Sequence, residues 1–197
     1  MPGTYPSYQI CHRQFQHWVR CGVLKDILSV LAEALPDEGY SDLREAFIDG
    51  SFAPAKKGGA GVGTTKRAKG SKIMAIADRH GRPVAIQIDS ATPHEVTLVE
   101  ATLAHRLVQK TPERLIGDNT HESDQLDAEL AQRGIELIAP HRRNRTRRTQ
   151  DGRPLRRYRR RWKMERLFTW LQNYRRIVVG TNATPRISWA WCTLLVG

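Results

Sequence analysis

Apolar positions recur along the chain with two different periods, and the change from one to the other divides it. Between Ser7 and Leu35 the spacing is helical. Tyr8, Cys11, Phe15, Trp18 and Val19 share one face behind Ser7, a residue suited to cap a first turn. Gly22 interrupts; Leu24, Ile27, Leu28, Leu31 and Leu35 then resume the period until Pro36 ends it. Two such short helices leave half of their apolar surface without an obvious partner.

From Ala46 onward the pattern turns strand-like. Ala46 to Ser51, Lys72 to Asp78 and Pro83 to Ile88 read as three strands, the last two joined by "RHG" as a hairpin. The intervening "KKGGAGVGTTKRAKG" has no phosphate-loop spacing and reads as a flexible loop able to touch DNA. Helical spacing returns after Pro93 in "HEVTLVEATLAHRLVQK". "ERLIGD" is a short strand ending in Asp118, Ser123 to Arg133 a helix closed by Gly134, and "IELIAP" another strand. A long helix runs from Pro154 to about Arg176, and the apolar Pro185 to Val196 reads as a last helix.

This order predicts an α/β architecture: a mixed sheet of three antiparallel strands followed by parallel ones, with helices on both faces. The chain divides into a helical segment over 1–36 and a larger domain over 44–197, into which a basic stretch over 141–157 is inserted. If the fourth strand lies parallel beside the first, Asp49 and Asp118 become neighbours at the carboxyl ends of the strands, where sites in such sheets gather.

Composition narrows the partners. The 197 residues carry 32 Lys+Arg against 20 Asp+Glu, a net charge of +12, so a polyanion is expected, nucleic acid ahead of a membrane surface. No apolar run approaches the ~18 residues of a membrane span, and the N-terminus lacks a signal-peptide layout. Three cysteines without metal-ligand spacing suit a reducing, cytoplasmic setting. The charge concentrates in "HRRNRTRRTQDGRPLRRYRRRWKMER", whose second half carries aromatic and apolar residues, as a folded element presenting charge would.

Asp49 is the anomaly in this pattern. It interrupts the apolar "FIDGSF", where a lone buried carboxylate costs several kcal/mol unless it is paired or bound to metal. Two acids brought together repel unless a cation lies between them. On the long helix, at ~100° per residue, Tyr158, Arg161, Phe168 and Gln172 fall within about 60° of Glu165. Glu165 therefore borders the packed face: either it points over the sheet edge, or it is a surface glutamate neutralising nearby arginines.

"FIDGS", "LIGDNTHESD" and "YRRRWKMERLFTWLQNYRRI" together resemble the three catalytic blocks of DDE transposases of bacterial insertion sequences, in the insertion-sequence-four/five-like group. Tyr158, Arg161 and Glu165 match the third block in type and spacing. The resemblance covers most of the chain and implies an RNase H-like fold with Asp49, Asp118 and Glu165 as catalytic, metal-holding acids. It further implies two Mg2+ (or Mn2+) ions, cleavage and strand transfer at transposon ends, terminal inverted repeats and target DNA as partners, a homodimer in the active complex, and a nucleoid-associated location.

The surrounding groups have roles as well. Arg161 would contact the scissile or a neighbouring phosphate, or else pair with Glu165; Tyr158 would position the DNA end, or pack in the core. Arg142, Arg143, Arg145, Arg147, Arg148, Arg156, Arg157, Arg159, Arg160 and Lys163 would hold the DNA backbone without reading sequence. His121 reads as a solvent-facing histidine at a helix start, with metal ligation or acid chemistry as the alternative. Glu122 and Asp124 read as first-turn helix acids, Asp78 and Asp89 as turn residues, and Trp162, Trp170, Trp189 and Trp191 as packing groups.

Some positions depart from the family pattern. Gln172 stands where a lysine is common, and Asn119 and His121 replace a lysine and a tyrosine. Ser7 to Arg20 resembles only the last helix of a longer DNA-binding module, so the chain is expected to be truncated at its N-terminus. Two further readings stay open: a metal-dependent nuclease of the same fold, and a non-catalytic DNA-binding remnant.

Overall fold

The computed structural model describes residues 6–34, 42–55, 58–59, 61–66, 68–145 and 154–173. The expected helix over 185–196, Arg147, Arg148, Trp189 and Trp191 lie outside them. Two helices open the chain, α1 (Tyr8–Cys21) and α2 (Val23–Ala34). Gly22 joins them at φ 78°, a left-handed geometry that glycine adopts without steric cost. Leu24 is buried at the junction, whereas Tyr8, Trp18, Ile27 and Val30 remain exposed.

The strands are β1 (Ala46–Pro54), β2 (Gly63–Thr64), β3 (Lys69–Ala77), β4 (Pro83–Ser90), β5 (Arg114–Ile116) and β6 (Glu136–Ile138). β1 pairs antiparallel with β3 and parallel with β5, β3 pairs antiparallel with β4, and β6 lies parallel to β5. Two helices, α3 (Glu95–Ala104) and α4 (Asp124–Gln132), connect β4 to β5 and β5 to β6. The chain then enters a 3-10 helix, η1 (Pro154–Arg161), which passes directly into α5 (Trp162–Gln172).

Alternation along β1 sorts its side chains into two cores. Phe47 and Ala53 pack with Met164, Leu167, Phe168 and Leu171 of α5. Ala46 and Ile48 pack on the opposite face with Leu98, Val99 and Leu103 of α3 and Leu126 and Leu130 of α4. Helices thus cover both faces, and Asp49, two residues beyond Phe47, shares the face under α5.

Three expectations change. The glycine-rich loop contains β2, which pairs with Lys69 and Gly70 at the end of β3. The helix after Pro93 stops at Ala104, because Leu107 N–H donates to Val84 C=O (2.9 Å) and Arg106 bridges Ala85, using groups on the open edge of β4. The long helix starts at Pro154 as expected, but its first eight residues are 3-10. Trp162 and Trp170 lie on its outer side, 51% and 39% exposed, and do not join the core. Trp162 instead stacks with the Arg166 guanidinium at 5.1 Å.

Candidate active site

Parallel pairing of β1 and β5 matches Phe47 with Ile116. Asp49 and Asp118 each follow two residues later, Asp49 within β1 and Asp118 just past the carboxyl end of the adjacent β5. They are close enough for the charge of Asp118 to raise the pKa of Asp49.

Their surroundings differ. Asp49 is 7% exposed. Its Oδ1 accepts from Gly50 N–H (2.9 Å) and its Oδ2 from Arg161 Nη2 (2.6 Å). Burial pushes its carboxyl pKa above the usual range, and the Arg161 bond offsets this only in part. Burial alone would raise Asp118 as well, but there hydrogen bonds from His121 and Thr120 prevail and hold the carboxyl well below its ordinary value. Asp118 Oδ1 accepts from Thr120 N–H (2.9 Å), from the Thr120 hydroxyl and from His121 Nδ1 (2.8 Å). Among the described residues, no protein hydrogen bond reaches Asp118 Oδ2.

His121 is fully buried, so the expectation of a solvent-facing side chain is corrected. The loop turns tightly enough after β5 to fold it back on Gly117, where an added Cβ would stand 2.9 Å from the His121 Cβ and Cγ. Only a residue without a side chain leaves that space.

The third acid lies on α5. Glu45, just before β1, and Phe47, Asp49 and Ser51 within it lie on one face, which is matched along its length by η1 and α5. Arg157 Nε and Arg160 Nη2 each lie 2.8 Å from the carboxylate of the buried Glu45. Lys163 sits over the Phe47 ring and donates to Arg79 C=O, Arg161 reaches Asp49, and Gln172 Nε2 reaches Ser51 Oγ at 3.5 Å. Arg161, Glu165, Phe168 and Gln172 form one stripe at helical spacing. Glu165 therefore sits between two residues that touch Asp49 and Ser51, on the same sheet face as Asp49. Its side chain is exposed and has no hydrogen bond among the described residues.

The expected basic residues separate into two groups. Arg161 pairs with Asp49 in place of Glu165 and also donates to Tyr158 Oη (3.2 Å), while Tyr158 packs against the core. Arg157, Arg160 and Lys163 hold η1 and α5 to the sheet. Arg145 bridges Glu122 and Asp124, both at 2.7 Å, and Glu122 also accepts from His141 and the Arg142 amide. Glu122 is thus an anchor for the basic stretch, beyond its expected place in a first helical turn. Arg143, Arg156 and Arg159 are exposed, as is Arg142, whose guanidinium also meets the Asn119 and Thr120 carbonyls.

Sequence reasoning missed Glu45 and Glu95. A charge abutting the buried run "AFI" signals the first; an acid opening the helix that crosses from β4 to β5 signals the second. Glu95 Oε2 lies 2.9 Å from the Thr120 hydroxyl, beside Asp118.

Residues 40–195 match the family model described as the transposase DDE domain. A Burkholderia cepacia protein, assigned by inference as the transposase of insertion sequence element IS402, is 30% identical over 155 residues, covering 74% of this chain and 69% of the relative. Among solved structures, a piggyBac transposase synaptic complex with hairpin DNA superposes with a TM-score of 0.54 at 10% identity, covering 78% of this chain and 45% of that one. The chain therefore spans less than half of that protein's length. The likeness supports the RNase H-like fold that the mixed sheet already indicates. The chain belongs to the family of DDE transposases of bacterial insertion sequences.

Proposed function

We propose that the chain cleaves DNA strands at the ends of an insertion sequence and joins the freed 3'-hydroxyl to target DNA, with Asp49, Asp118 and Glu165 as its metal-holding acids. The observation that supports this reading is the proximity of Asp49 and Asp118 on adjacent strands, with Asp49 beneath the helix stripe that bears Glu165. The donor set fits a hard divalent cation: all three candidate ligands are carboxylates. The Arg161 guanidinium, a cation seated on Asp49, supports the fit further. Two magnesium or manganese ions would supply activation of the attacking oxygen and stabilisation of the leaving oxygen.

The chain's own residues do the rest. His121 and Thr120 fix the Asp118 carboxylate through Oδ1 and leave Oδ2 to face a ligand. Arg161 would exchange Asp49 for a DNA phosphate while Tyr158 steadies its other side. The exposed Arg142, Arg143, Arg156 and Arg159 would hold the phosphate backbone, with Arg147 and Arg148 extending the same run in sequence. The active complex would contain two copies, one for each transposon end.

The test is incubation of the chain with Mg2+ or Mn2+ and DNA carrying the ends of its own element. Metal-dependent nicking at the ends, followed by joining to a second duplex, is the expected result. Nicking without joining would favour a nuclease; binding alone would favour a non-catalytic remnant. Asp49→Asn should abolish cleavage and leave nonspecific DNA binding intact, since it removes no basic residue. Full cleavage by that variant would end the assignment.

A further inference from the structure

Glu95 opens α3 and has no part in the triad above, yet its carboxylate lies over β1. A Cβ on Gly50 would stand 3.0 Å from both Cδ and Oε1 of Glu95, and 2.9 Å from Met74 Sδ. Glycine after Asp49 is therefore what admits the Glu95 carboxylate. The Gly50 amide meanwhile donates to Asp49 Oδ1 (2.9 Å), so one residue borders both acids, each on its own side of the strand.

On its other side Glu95 meets Asp118. The Thr120 hydroxyl lies within hydrogen-bond reach of Glu95 Oε2 (2.9 Å) and of Asp118 Oδ1, and its single proton can serve only one of them. Glu95, Asp118 and His121 each offer a ligand atom, all within 4.8 Å of one another. The cation paired with Glu95 among the described residues is Lys72, whose Nζ is 3.8 Å from Oε1, beyond hydrogen-bond length, and donates instead to Pro93 C=O at 2.7 Å. Asp118 Oδ1 has further partners in Thr120 N–H and His121 Nδ1, whereas the Glu95 carboxylate has the one shared proton and an ammonium at 3.8 Å, which leaves it able to take a closer cation.

We propose that Glu95 is a fourth acidic ligand of the metal centre, acting together with Asp118; this rests on the reading of Asp49 and Asp118 as metal-holding residues. Glu95 would then have a purpose beyond that of a first-turn acid at the start of α3, a role in which metal binding would be indifferent to it.

Calorimetric titration of the full chain with Mn2+ alone separates the two. Glu95→Gln keeps the volume and the Thr120 contact and should weaken Mn2+ binding at least about tenfold, the lower end of what losing even an outer-shell partner costs. Lys72→Met should strengthen Mn2+ binding a few-fold, a gain that loss of folding cannot mimic, and the gain should vanish when Glu95→Gln is also present. Unchanged Mn2+ affinity in Glu95→Gln, with affinity lost in Asp49→Asn, would overturn the role of Glu95 and leave the Asp49–Asp118 reading standing. Unchanged affinity in both Asp49→Asn and Asp118→Asn would overturn that reading and this proposal with it.

Discussion

Arg161 Nη2 lies 2.6 Å from Asp49 Oδ2, an ion pair closed between residues 112 apart in the chain. The contact gives the buried Asp49 its counter-charge and seats the η1–α5 junction on β1. It also occupies one of the two oxygens that a metal ion would need.

Removing this guanidinium should therefore have opposite effects on stability and on metal binding. Arg161→Met leaves Asp49 buried without its partner and should cost about 3–5 kcal/mol in buffer containing a chelator. Added Mn2+ should raise the melting temperature of the variant by more than that of the parent chain. Equal metal-induced shifts in the two proteins would show that Arg161 and metal do not compete for Asp49.

Charge on the 3-10 helix should prove structural or DNA-facing according to its partner. Glu45→Gln loosens Arg157 and Arg160, and since both guanidinium groups are about a third exposed the loss is screened to about 1–3 kcal/mol, readable in urea denaturation. Arg159→Ala removes an exposed side chain and should change stability by no more than about 0.5 kcal/mol. It should, however, reduce the salt slope of DNA binding by roughly one ion. A salt slope unaffected by Arg159→Ala would remove it from the DNA path.

The Glu122 anchor should appear in the acid limb of the stability curve. Burial would raise this carboxyl, but the Arg142 amide, His141 and Arg145 together hold its pKa below the ordinary 4.5. A depressed acid stabilises the fold above its unfolded-state pKa and loses that contribution as the pH falls through the folded-state value. Stability should therefore decline below about pH 4.5, and Glu122→Gln should flatten that decline while lowering stability at pH 7. An unchanged acid limb in the variant would show that the anchor contributes nothing.

Gly117→Ala tests the packing of His121 beneath Asp118. The added methyl would stand 2.9 Å from the buried imidazole and should cost about 1–3 kcal/mol by overpacking. The accompanying shift of His121 should raise the Asp118 pKa, measurable by carboxyl carbon NMR. An alanine chain with parental stability would mean that the loop relaxes freely.

Much of the architecture was legible because it follows from local rules. The strand-like run from Ala46 to Ser51 and the turn between β3 and β4 each depend on a few neighbouring residues. The crossover helix allows β5 to lie parallel to β1, which makes Asp49 and Asp118 neighbours. Glu45 and Glu95 were not legible, since their partners lie on other elements: Arg157 and Arg160 for one, Thr120 and the open side of Gly50 for the other. His121 was misjudged because a histidine in a polar run looks solvated until the loop that buries it is seen.

The order of the strands, the helical stripe through Glu165 and the excess of positive charge were determined by the sequence itself, since periodicity and composition are properties of the linear chain. Which arginines stay exposed, which acid Arg161 neutralises and which carboxylate joins Asp118 were decided by the tertiary structure alone. Each of those outcomes depends on distances of a few ångströms between segments remote in the chain, and desolvation at such contacts outweighs any local preference.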